Sequence, residues 1–133
     1  MNTSLPFTIP LLLGVAKAVG LLRLEGRSLL LEYELTDRTL GLLRSELKTV
    51  RLPLIEVDEL TLTPGWRFDL VQIRVSTLRV ARNIPGHDCG IIQLRTQKRD
   101  RNFASNLLQS ALQVKAMKHV DRLDSAPSIS TTT

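Results

Sequence analysis

Several groups of side chains in this sequence are of types that do chemistry. His87, Asp88 and Cys89 stand side by side. Such side chains bind metals and move protons, and a histidine near a cysteine can serve as base to a nucleophilic thiol. Adjacency argues against both roles here. Neighbouring residues rarely converge on one ion, and the other histidine, His119, lies far along the chain. No orienting or oxyanion group accompanies Cys89, so the segment reads as a polar turn. The expectation is no catalytic residue, no metal and no cofactor. Glu56, Asp58 and Glu59 form an acidic cluster. In a strand, Glu56 and Asp58 face one side and Glu59 the other. A calcium loop would need more oxygen ligands, so solvated charges at a sheet edge explain them.

The basic side chains are the stronger signal. Arg95, Lys98, Arg99 and Arg101 gather within a few residues, and Lys115, Lys118 and Arg122 extend the basic character. The chain carries a net charge of +5, and its distribution is uneven. Residues 67–133 hold 11 Lys or Arg against 5 Asp or Glu, while residues 1–66 hold 7 against 8. Such asymmetry either keeps a domain soluble or attracts anionic lipid or nucleic acid. Aromatics are only 4% of the chain, which disfavours nucleic acid, since single-strand readers stack bases on aromatic rings. Arg95, Lys98, Arg99 and Arg101 therefore form the candidate patch for an anion or partner. Trp66, after Pro64-Gly65, is either a lid on the core or an exposed anchor, and burial is the more common fate of a scarce aromatic.

The elements that position these groups are mostly short strands. The 133 residues fit one domain, and 43% apolar content is enough for a core. Gly20–Glu25 reads as a strand, followed by a turn at Gly26. Ser28–Thr36 alternates clearly, with Leu29, Leu31, Tyr33 and Leu35 on one face and Glu32 and Glu34 on the other. Thr39–Leu47 is ambiguous between strand and loop. Thr49–Leu54 turns Val50, Leu52 and Leu54 inward, and Pro53 belongs at an edge or a strand end. Val57–Thr63 is the next strand. Arg67–Val75 changes parity, which a bulge near Leu70 or two buried faces would explain. Thr77–Ala81 reads as a shorter strand and 83–90 as a loop. Gly90–Thr96 closes the run.

A helix pattern follows, with Asp100 as its N-cap and Phe103, Ala104, Leu107, Leu108, Ala111 and Leu112 as its apolar stripe. Lys115 and Lys118 fall on that same face. Either the helix outruns the body beneath it or those lysines snorkel at its edge. Residues 121–133 read as a flexible polar tail. Residues 1–19 read as an apolar extension, which packs on the domain or on a second subunit. Its run Leu5–Leu13 is broken by Pro6 and Pro10 and is too short to span a bilayer as a helix. A secretory leader is disfavoured because no basic residue precedes that run. The single cysteine favours a reducing compartment or indifference to redox state, and the expected setting is cytoplasmic.

Together these residues resemble a known family. Gly20-Leu21-Leu22-Arg23-Leu24, the turn into Leu29–Tyr33, the passage Val50-Arg51-Leu52-Pro53-Leu54 and the strand after it carry part of the likeness. Ile84-Pro85-Gly86, Gly90–Leu94 and Arg99–Ala104 with Leu107-Leu108 carry the rest. The chain is similar to bacterial pleckstrin-homology-like domains, which are related in fold to GRAM domains, over roughly Gly20–Val114. The resemblance implies a mainly β fold: a barrel of two near-orthogonal antiparallel sheets, about seven strands in all, capped by a C-terminal α-helix. The domain would span 20–120, with the helix at about 100–118. Lipid-binding members in eukaryotes usually carry several basic residues in the first strand-turn-strand unit. Here that unit offers Arg23 and Arg27 beside Glu25, Glu32 and Glu34, so a phosphoinositide site of that type is not expected. The fold hosts many functions. The expected function is a non-catalytic binding or scaffolding module, acting through protein–protein contact or self-association. The alternative is a membrane-peripheral role, on an anionic surface, through the basic C-terminal half.

Overall fold

The computed structural model describes residues 4–11, 16–37, 47–82, 84–85 and 89–132. Seven antiparallel strands and a C-terminal helix make up the fold. The strands are β1 (Ser4–Leu11), β2 (Ala16–Glu25), β3 (Ser28–Asp37), β4 (Lys48–Pro53), β5 (Val57–Thr63), β6 (Asp69–Val75) and β7 (Ile91–Thr96). They form one open sheet in the order β4-β3-β2-β1-β7-β6-β5. A single helical turn, α1 (Leu78–Ala81), lies between β6 and β7, and α2 (Arg101–Thr132) follows β7.

Alternation decides which face is buried. Leu5, Phe7 and Ile9 of β1 point to the same side as Ala18 and Leu22 of β2 and Leu29, Leu31 and Tyr33 of β3. Val50 and Leu52, then Val57 and Leu60, then Val71, Ile73 and Val75, then Ile92 and Leu94 continue that face. Ala104, Leu107, Leu108 and Ala111 of α2 close over it, and all of these side chains belong to one core cluster. The outer face is left to water. This is the one-sided burial that antiparallel sheets allow.

Seven strands were expected and seven occur, but their membership differs. The segment read as an N-terminal extension is β1, paired over its whole length with β2 and placed in the middle of the sheet. Thr77–Ala81, read as a strand, instead contains the turn α1. Both sides of β6 are already occupied, by β5 and β7, so a strand there could not pair with the one it follows. The parity change near Leu70 has a simple origin. β6 begins at Asp69, Phe68 lies before it, and Asp69, Val71, Ile73 and Val75 then alternate inward without interruption. The register irregularity is in β5, between Val57 and Glu59. The Val57 carbonyl beside it accepts a hydrogen bond from the Lys115 ammonium. Lys115 thus reaches the sheet from the helix edge, the second of the two options its position allowed.

Pro53 ends the edge strand β4, where its missing N–H costs no ladder bond. One turn of 3-10 helix, Leu54–Glu56, carries the chain to the opposite edge strand β5. The two edges of the sheet are therefore consecutive in sequence and must approach each other at this corner. The helix begins at Arg101, after a 3-10 turn at Lys98–Asp100, and runs through the stretch read as a polar tail. Once nucleated, a helix gains a bond per residue, and in that stretch only Pro127 lacks a donor.

Candidate functional site

The basic residues Arg95, Lys98, Arg99 and Arg101 do not behave as one patch. Arg101, at the first position of α2, faces Asp69 at the first position of β6. Its Nε and Nη2 donate to the two carboxylate oxygens at 2.8 and 2.9 Å. The Gly65 backbone N–H donates to the same carboxylate at 3.2 Å. Asp69 is fully buried, and the Arg101 guanidinium, aided by Gly65, holds its carboxyl below the usual carboxylate range against the cost of burial. This fork pins the start of the helix to the sheet. Asp69 was not singled out from sequence. Its one signal is that it shares the parity of Val71, Ile73 and Val75.

Arg95, Lys98 and Arg99 remain exposed. The Arg95 guanidinium lies over the Phe68 ring at 4.3 Å from the centroid. Lys98 and Arg99 make no ion pair among the described residues. Trp66 is 84% exposed, against the expectation of burial, with the Arg67 guanidinium 5.4 Å from its ring centre. The reason is the tight turn. A side chain at Gly65 would strike the Phe68 carbonyl oxygen, and the Gly65 N–H is tied to Asp69. Closing the turn this way leaves Trp66 and Arg67 at its tip.

A second surface lies on the outer face of β1, β2 and β3. Cross-strand rows Thr8–Val19–Glu34 and Pro6–Leu21–Glu32 stand side by side there. Val19 and Leu21 are 39% and 41% exposed, unusual for large aliphatic side chains on a central strand. They floor a groove of about 560 Å³ that Lys17, Glu32, Glu34 and Leu47 also line. The groove stops at an ionic network in the next row. Arg23 pairs with Glu32 at 2.6 Å and Glu25 at 3.1 Å, and Arg51 with Glu25 at 3.3 Å. Arg51 first, then Arg23, hold the Glu25 carboxyl below its ordinary range. Leu30, whose cross-strand neighbours are Arg23 and Arg51, is buried although it faces outward. The arginine stems shelter it.

A smaller hollow of about 320 Å³ lies at the seam of β1 and β7, between Pro6–Thr8 and Arg95–Gln97. Among the described residues only Thr8 and Arg95 pair across that seam. Pro6 and Pro10 have no N–H to give and flank Thr8 at the same parity, which accounts for so short a ladder.

Two of the three acidic side chains, Glu56 and Glu59, have local partners, and Asp58 is exposed. Glu59 pairs with Arg74 at 3.1 Å, and the Glu56 carboxylate accepts from the Ser76 hydroxyl at 2.8 Å. His87 and Asp88 lie outside the described residues. Cys89 is exposed, with φ of +52° beside Gly90 at +82°, in the turn that leads into β7. Among the described residues no three His, Cys, Asp or Glu side chains gather as a metal site would need. Among those same residues no helix is long and apolar enough to cross a membrane.

Comparison with protein families, with curated proteins and with solved structures gives no match to this chain.

Proposed function

We propose that the chain is a non-catalytic, pleckstrin-homology-like binding module that self-associates through the outer groove of β1, β2 and β3. In this reading the β4-β3-β2-β1 and β7-β6-β5 meanders are two near-orthogonal sheets rolled into a barrel, with α2 as the plug. The strand order, the single pair at the seam and the short link between the edge strands support that shape. The cytoplasm is the proposed setting, in keeping with one cysteine.

The observation that carries the function is the exposed pair Val19 and Leu21 in the middle of a sheet face. A central strand that faced only water would gain nothing from aliphatic side chains there. The charges around the pair suit a second copy. Lys17 and Glu34 both line the groove, one of each sign, so a two-fold related chain brings each lysine toward the other's glutamate.

Sedimentation velocity over a concentration series tests this. The wild type should shift from monomer to dimer as concentration rises, and Leu21→Glu should stay monomeric with unchanged circular dichroism. Lys17→Glu and Glu34→Lys should each weaken the dimer, and the double exchange should restore it. A wild type that stays monomeric throughout, or a Leu21→Glu variant that dimerises equally well, overturns the proposal.

A further inference from the structure

The exposed tryptophan and the exposed cations share one corner of the molecule. Asp69 is the hub that brings them together. Its carboxylate is held by Gly65 from the β5–β6 turn and by Arg101 from the start of α2, and its Cα partner across the ladder is Thr96. Lys98 is close enough for its charge to act on the same carboxylate. Arg95 covers Phe68, the last residue of the turn. Trp66 and Arg67 therefore project beside Arg95, Lys98 and Arg99. The acidic groups here are few: Asp69 is buried and neutralised by Arg101, and Asp100 is half-buried.

We propose that this corner is a docking surface for an anionic phospholipid bilayer, with Trp66 entering the interface and Arg67, Arg95, Lys98 and Arg99 facing the headgroups. It is independent of the groove and goes beyond the self-association reading. The chemistry is specific in two respects. An indole is amphipathic and settles at the boundary between headgroups and acyl chains. Cations within a Debye length of an anionic leaflet each add to the attraction. A tryptophan exposed this fully, with Arg67 against its ring and further cations at the same corner, meets both demands. A protein groove would bury the indole on all sides, whereas this turn offers it on a convex tip. The position also differs from the first strand-turn-strand unit, where Arg23 is tied to Glu25 and Glu32.

Trp66 is the only tryptophan of the chain, so its own fluorescence reports the contact. The full chain is titrated with phosphatidylcholine vesicles with and without phosphatidylserine, at low and physiological salt, and with brominated acyl chains as quenchers. The expected result is a blue shift and quenching with the anionic vesicles alone, weaker as salt rises. Trp66→Ala should weaken co-sedimentation with those vesicles about tenfold, and Lys98→Glu with Arg99→Glu at least about tenfold. Arg101 is left intact because it holds Asp69. Absence of binding to anionic vesicles overturns the proposal. So does binding that leaves Trp66 emission unchanged, binding undiminished by Trp66→Ala, or a shift produced by duplex oligonucleotide and not by vesicles.

Discussion

Asp69 and Gly20 show how much a single side chain, or its lack, decides in this fold. Removing the Arg101 guanidinium strands a buried carboxylate with one backbone donor. Arg101→Ala should lower the urea unfolding midpoint, and Arg101→Lys should recover only part because an ammonium cannot fork. The pair also sets a pH dependence. Because the folded-state pKa of Asp69 is lowered, its contribution is present above the unfolded value of about 3.9 and is lost as pH falls through the folded one. Melting temperatures from neutral to strongly acid pH should fall more steeply for the wild type than for Asp69→Asn, which starts lower. Gly20 sits on the inner face between Phe7 and Tyr33 in one cross-strand row. A methyl there would strike the Glu32 carbonyl oxygen and lie 2.8 Å from the Tyr33 Cβ. Gly20→Ala should destabilise by about 2 kcal/mol in the same unfolding assay, despite the entropy it saves. The parity of Asp69 was legible in the sequence. Its partner was not, since nothing local links Asp69 to an arginine on another element.

At the scale of elements, alternation was the reliable guide and proline the misleading one. Ser28–Thr36 and Val57–Thr63 were readable because apolar and polar residues mostly alternate, broken at Leu30 and between Val57 and Glu59, and turn residues bound them. The Asp100 region was readable as a helix start for a similar reason, the switch to helical spacing. β1 was hidden. Leu5, Phe7, Ile9 and Leu11 alternate, but Pro6 and Pro10 are poor residues for a central strand. The sheet tolerates them because β1 is firmly laddered to β2 and barely to β7. A chain beginning at Ala16 should therefore lose the cooperative thermal transition altogether, since it removes Leu5, Phe7 and Ile9 from the core. A cooperative melt near the wild-type temperature would show that β1 is dispensable. The site was only half legible. The basic run was visible, but whether each cation is used internally depends on packing across the sheet.

The whole molecule is two local meanders meeting at a narrow seam on one side and a short corner on the other. Amides of β2 and β3 are paired along ten residues, whereas β1 and β7 share one pair. Hydrogen exchange should show slow amides in the β2–β3 ladder and faster ones in β7 on the side toward β1. Uniform protection across the seam would contradict this picture. The low resolution of sequence reading at this scale has a physical cause: patterns name strands, and only long-range pairing says which of them become neighbours.

The placement of β1 also orders events during synthesis. Its β2 partner leaves the ribosome soon after it, so the first hairpin can form early. Its other edge has to wait for Arg95, with most of the chain made in between. Until then, a strand destined for the middle of the sheet is an outer strand with an open flank. Pro6 and Pro10 sit on that strand and deny an incoming chain two donors. The residues that thin the finished seam would thus also guard the nascent protein against pairing with a neighbour.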